Sequence, residues 1–135
     1  KEKFNIFKNY LTIYGSGKIN INTAERKVLL AVFNSILDFL KEYMRRDFTF
    51  DTDSFVDQII VQREGQPFKN MQELLPLLEQ IPIDSGIINI FLDALFTISS
   101  TAFQTNIEVN MGKVKKSVEA IFDTEKNKVV YWNEN

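Results

Sequence analysis

Along the first two thirds of the chain hydrophobic residues recur at intervals of three and four; along the last third they alternate. Helix should therefore give way to strand near residue 96. Val28, Leu29, Val32, Phe33, Ile36, Leu37 and Leu40 form one apolar stripe, which predicts a first helix beginning at Asn22. The Asn22 side chain is placed to cap the first-turn N–H groups, with Glu25 reaching back from three residues on. Asn34-Ser35 is the weakest point of this helix, and the charged, turn-rich run from Met44 to Ser54 predicts a loop. A second helix opens near Asp53 or Ser54, carries Phe55 and Ile59, and stops at Gly65. Asn70 and Glu73 repeat the cap-plus-acid pattern for a short third helix, cut off by Pro76. The dense apolar run "IDSGIINIFLDALF" predicts a fourth, capped by Asp84 or Ser85, with one face deep in a core.

From Thr97 the period changes. Ile107 and Val109 share one side of "TAFQTNIEVNMG", and Val114, Lys116, Val118, Ala120 and Phe122 share one side of "KVKKSVEAIFD". "TEKN" reads as a polar turn and "KVVYWNE" as a third strand. Three strands on short connections predict an antiparallel meander with one buried face, covered by the helical half or by an element outside this sequence. The fold class is α+β: a helical domain over residues 1–96, then a β portion over 97–135.

Composition narrows the function. The 135 residues are 44% hydrophobic, enough for one or two small cores. Sixteen basic against eighteen acidic residues give a net charge of −2, which weighs against a phosphate-backbone binder. There is no histidine and no cysteine, so Ser-His-Asp and Cys-His catalysis and His or Cys zinc sites are excluded within this sequence. Nothing selects a pair among the carboxylates for acid–base work, and no enzyme activity is expected. The most apolar window, "GIINIFLDALFTI", contains Asn89 and Asp93 and falls short of the roughly 20 apolar residues of a membrane span. The start "KEKF" has neither an initiator Met nor a signal peptide, which reads as a piece of something longer.

"YGSGKININTA", Tyr14 to Ala24, is the most distinctive stretch. As a phosphate-binding P-loop it fails at two fixed positions, with Thr12 where glycine belongs and Ile19 where Ser or Thr belongs. "KININTA" with "IIVQREGQPFKNMQEL" resembles the tandem helix-hairpin-helix modules of competence-type DNA receptors. Those modules grip phosphates through Gly-hydrophobic-Gly hairpins. Here the corresponding segments are "FNSILDFLKEYMRRDFTFDTD" and "IPIDSG", without those hairpins.

A third resemblance covers more of the chain. "LTIYGSGKININTA", "FVDQIIVQREGQPF" and "TAFQTNIEVN…KKSVEAIFD…VVYWNE", in that order, resemble the K-type minor pseudopilins of type II secretion systems (general secretion pathway protein K). It runs from about Phe4 to Glu134, and its motif residues here are Gly15, Gly17, Asn20, Asn22, Thr23, Ala24, Arg63, Pro67, Phe68, Tyr131 and Trp132. The resemblance implies a SAM-like helical domain, related to helix-hairpin-helix folds, set into a pilin-like sheet. It implies an architectural, non-enzymatic subunit at the tip of a periplasmic pseudopilus, partnered by the I- and J-type minor pseudopilins and helping to initiate fibre assembly for protein export. The chain would be the C-terminal portion of such a protein, held to the inner membrane of a Gram-negative-type bacterium through an N-terminal helix outside this sequence. With that helix absent, the open sheet face implies self-association. No nucleic-acid partner is expected on this reading; the alternative is the helix-hairpin-helix DNA-binding module.

Individual residues admit plainer roles beside these. Asn20, Asn22 and Thr23 are either ligand contacts or, the better reading, partners for backbone groups at a turn. Arg63 suits the C-terminal dipole of its helix and a local partner, and Phe68 suits a core plug. Asp47, Asp51 and Asp53 are the one candidate metal cluster. Carboxylates in a single loop suit calcium, the cofactor the resemblance also implies, although the spacing is not that of an EF-hand.

Overall fold

The computed structural model describes residues 14–134. Residues 1–13, including Thr12 of the P-loop count and the start of the expected helical domain, lie outside the described residues. The chain divides into two compact units: residues 18–99, and residues 14–17 together with 100–134.

The helical unit is closed by two short strands. β1 (Ile19–Asn20) pairs in parallel with β2 (Phe96–Thr97), and Ile21 N–H continues the pairing to the Thr97 carbonyl at 2.8 Å. The first helix, α1, spans Arg26–Met44, four residues later than the Asn22 start expected from the sequence. Glu25 is its N-cap and makes no side-chain capping bond. Asn34-Ser35 does not interrupt it: the Ser35 hydroxyl donates to the Ala31 carbonyl at 2.7 Å and the helix runs on. It ends in a Schellman-type arrangement, Arg45 N–H to Glu42 O and Arg46 N–H to Lys41 O, with Arg45 at φ +50° in the place glycine usually takes.

α2 spans Thr52–Gly65, with the Asp51 carboxylate accepting from Ser54 N–H at 3.0 Å. A 3-10 turn at Met71–Leu74 leads into the four-residue α3, Leu75–Leu78. Pro76 therefore sits in a first turn, where no N–H is required, and does not cut through a longer helix. Asn70 does not cap this segment. Its amide donates to the Glu73 carboxylate, which also accepts from Lys69 N–H. α4, Ser85–Leu95, starts as expected from Asp84, whose carboxylate accepts from Gly86 N–H at 2.9 Å.

The buried faces of these helices meet in one core. Phe33 stacks on Phe96, ring centres 5.1 Å apart, and meets the edge of Phe55 at 5.0 Å. Each such ring contributes about 1.5–3 kcal/mol through burial. Leu29, Val56, Ile59, Leu74, Leu92 and Phe68 complete the packing around them. Because Phe96 belongs to this core and Thr97 to β2, the helical unit extends to Ser99, past the division at 96 read from the period change.

The second unit is a three-stranded antiparallel sheet: β3 (Ala102–Met111), β4 (Val114–Asp123) and β5 (Lys128–Glu134), in that spatial order. Met111 pairs with Val114, leaving Gly112-Lys113 as a two-residue loop. Gly112 takes φ +60°, the left-handed conformation that opens such a turn. The expected polar turn joins β4 to β5. Asp123 anchors it, accepting from Lys126 N–H at 2.9 Å and from the Lys126 ammonium at 2.6 Å. A register shift at Ile121/Phe122 marks an irregularity in the β4–β5 ladder.

Candidate interaction surface

Most of the motif residues are brought together, and they hold the chain to itself. Asn22 donates to the Phe68 carbonyl at 2.9 Å and the Ile98 carbonyl at 3.1 Å, and accepts from Phe68 N–H at 2.9 Å. Both amide hydrogens and the amide oxygen are engaged, so the capping role expected for Asn22 is replaced by a three-way tether. Asn20 Oδ1 accepts from Asn22 N–H, and the Asn20 carbonyl accepts from the N–H groups of Thr23 and Ala24. Arg63 does not pair locally. Its guanidinium crosses to the Ile21 and Ala24 carbonyls, each at 2.8 Å. Phe68 is buried in the core as expected, presented by the exposed Pro67. Thr23 is exposed, and Gly15 and Gly17 turn the chain at φ +89° and +76°.

The acidic candidates are not gathered. Asp51 is occupied by the N–H and hydroxyl of Ser54, Asp53 by Arg26, and Asp47 is exposed. Among the described residues no three acidic side chains are grouped to hold a metal. What the sequence did not reveal is the Arg26 fork, at 2.9 Å to Asp53 and 2.7 Å to Asp57. The hydrogen bond that Arg26 donates holds the Asp57 carboxyl below its usual range, and donating to Asp57 and then to Asp53 raises the guanidinium further. Hydrogen bonds from Ser54, first the hydroxyl and then the N–H, lower Asp51 in the same way.

The sheet presents the surface with the clearest consequence. Register places Phe103, Ile107, Val109 and Met111 of β3 on the same side as Val114, Val118, Ala120 and Phe122 of β4. On β5 the same side carries Val129, Trp132 and Glu134. Eight of these are large and exposed, from Phe122 at 37% to Met111 at 74%, with Trp132 at 60%. Trp132 faces this side, while Tyr131 points to the other and meets the Tyr14 ring at 6.4 Å. The motif pair is thus divided between the two faces.

The opposite face is polar. Glu108 pairs with Lys115 at 3.1 Å, and Gln104 donates to Glu119 at 2.6 Å. On the apolar face the charged residues are Lys116 and Glu134, bonded to each other at 2.9 Å along its margin. The alternation of Ile107 with Val109, and of Val114 with Val118 and Ala120, was legible beforehand. Phe103 and Met111 share the parity of Ile107 and Val109 in β3, whereas Val129, beyond the shift at Ile121/Phe122, is placed with them only by the register.

Among the described residues no helix is long and apolar enough to cross a membrane. No protein-family model matches the chain, and neither does any curated protein or solved structure.

Proposed function

We propose that this chain is a structural subunit of the K-type minor pseudopilin kind, acting at the tip of a type II secretion pseudopilus. The reading rests on the ordered motif segments. The single structural observation that supports it best is the sheet face on which eight large apolar side chains are exposed. A subunit that works by burying surface in a fibre needs such a face. In this reading the sheet is pilin-like and the helical unit SAM-like, with the Asn22 and Arg63 tethers serving as scaffold. The partners are the I- and J-type minor pseudopilins, and the complex initiates assembly for protein export across the outer membrane. The location is the periplasmic face of the inner membrane, where an N-terminal helix supplies attachment. The role is architectural and needs no reaction chemistry.

Co-purification with tagged I- and J-type pseudopilins tests this, with labelled duplex DNA at low salt as the parallel arm. Stable association with either pseudopilin and no DNA shift is the expected result. Association with neither, together with a salt-sensitive DNA shift, overturns the reading in favour of the DNA-binding module.

A further inference from the structure

We propose that the cleft between α3 and α4 is a binding site for a lysine side chain carried on an apolar segment of a partner protein. The inference goes beyond the pseudopilin reading and does not rest on it. Shape is the first argument. The cleft encloses about 390 Å³, within the roughly 300–1,000 Å³ of known ligand sites. Leu78 and Ile88, both buried, form its floor, and Leu75 part of its wall. Glu79, Ser85 and Asn89 line its exposed part. Among the described residues none of these three side chains is engaged in a hydrogen bond or ion pair. An apolar floor beneath a few polar groups is how a site fixes the orientation of what it binds.

Charge is the second. Residues 70–99 contain Glu73, Glu79, Asp84 and Asp93 and neither lysine nor arginine. The first turn of α4 would draw an anion, but the Asp84 carboxylate already accepts from Gly86 N–H at 2.9 Å. An incoming carboxylate or phosphate therefore meets the charges of Asp84 and Glu79, whereas an ammonium gains a charge-assisted hydrogen bond to Glu79. Lysine also suits the rest of the cleft. Its three N–H donors match one acceptor each on Glu79, Ser85 and Asn89, and its carbon stem lies along Leu75. The third argument selects the source. A site for a free small molecule encloses most of its ligand. Here all three polar residues are exposed, which leaves the side chain's own backbone outside and its apolar neighbours on the margin.

Titration of the isotope-labelled 135-residue chain with the peptide acetyl-Ala-Leu-Lys-Leu-Ala-amide, followed by amide NMR shifts, is the test. Two further probes are the same peptide with glutamate in place of lysine, and butylamine alone. The expected result is saturable shifts confined to residues 75–89 with the lysine peptide, none with the glutamate peptide, and weaker binding of butylamine. Glu79→Gln, at an exposed position, weakens peptide binding about tenfold or more while the remaining spectrum is unchanged. Asn89→Lys sets the chain's own ammonium beside Glu79 and does the same, should Glu79→Gln disturb the fold. Asp38→Asn, exposed on α1 and outside the cleft, leaves binding alone. No saturable shift with the lysine peptide overturns the proposal, as does equal binding of the glutamate peptide. Binding indifferent to both Glu79→Gln and Asn89→Lys, or equally weakened by Asp38→Asn, places the contact elsewhere and overturns it too. Butylamine bound as tightly as the peptide makes the ligand a free amine and overturns the assignment to a partner segment.

Discussion

Asn22 shows how much a single amide can hold. Three hydrogen bonds run from its side chain to Phe68 and Ile98, residues far off in the chain. An N-terminal helix cap, the role its sequence context suggests, is worth about 1 kcal/mol. Removing a tether leaves Phe68 N–H and two partly buried carbonyls without that partner, each at about 1 kcal/mol or more. Asn22→Ala should therefore destabilise the helical unit by about 2–4 kcal/mol in urea unfolding followed by circular dichroism. A loss near 1 kcal/mol would mean that water replaces the amide freely. The type of residue was legible in "KININTA", since Asn there satisfies backbone groups. The identity of those groups was not, because they lie 46 and 76 residues away and no local rule reaches that far. Arg63 carries the same lesson, with its helix-end position visible and its targets, Ile21 and Ala24, invisible.

Among the elements, helix ends were the hardest to place and strands the easiest. Asp51 and Asp84 cap α2 and α4 through bonds to residues two or three positions on, so local chemistry decides them. Pro76 was misplaced because the bend at Met71–Leu74 puts it at the start of a new turn. Alternation marked β3 and β4, "TEKN" marked the turn after β4, and "KVVYWNE" beyond that turn marked β5. That turn makes a pH-dependent contribution. Hydrogen bonds from Lys126, first its ammonium and then its N–H, lower the Asp123 carboxyl, while Asp123 raises the Lys126 ammonium. Since the folded Asp123 titrates below its unfolded value, its stabilisation is present above about pH 4 and is lost as pH falls through the folded value. Lys126 has the opposite sign: its contribution is present below about pH 10 and is lost as pH rises through its raised value. Amide exchange of the β4–β5 turn should accelerate at both ends of this range, once corrected for the intrinsic pH dependence of exchange. Asp123→Asn should flatten the acid limb; an unaltered limb would assign it to Asp51 and Asp57.

At the scale of the whole molecule, the two units differ in how they are held together. Residues 18–99 surround one core of aromatic and branched side chains, closed by the β1–β2 pair and by the Asn22 and Arg63 tethers. All of these interactions lie within that stretch, so the tethers and closing strands come with it when it is excised. The sheet has no comparable interior. Ala120 is its one buried hydrophobic residue, and most of its large apolar side chains face solvent. A three-stranded sheet gains independent stability only when a hydrophobic face is covered. A polypeptide of residues 18–99 should therefore fold alone, with helical circular dichroism and a cooperative urea transition. Its unfolding slope should be smaller than that of the full chain in proportion to the surface left out. A polypeptide of residues 100–135 should show no cooperative transition when dilute and should acquire strand signal as concentration rises and its apolar faces meet. If residues 18–99 remain unfolded while the full chain folds, the helical core depends on the sheet, and the two units are one cooperative domain. If residues 100–135 fold cooperatively at the lowest concentrations, the hairpins at Gly112 and Asp123 suffice without any cover, and the need for a surface to bury, on which the fibre-subunit reading leans, disappears.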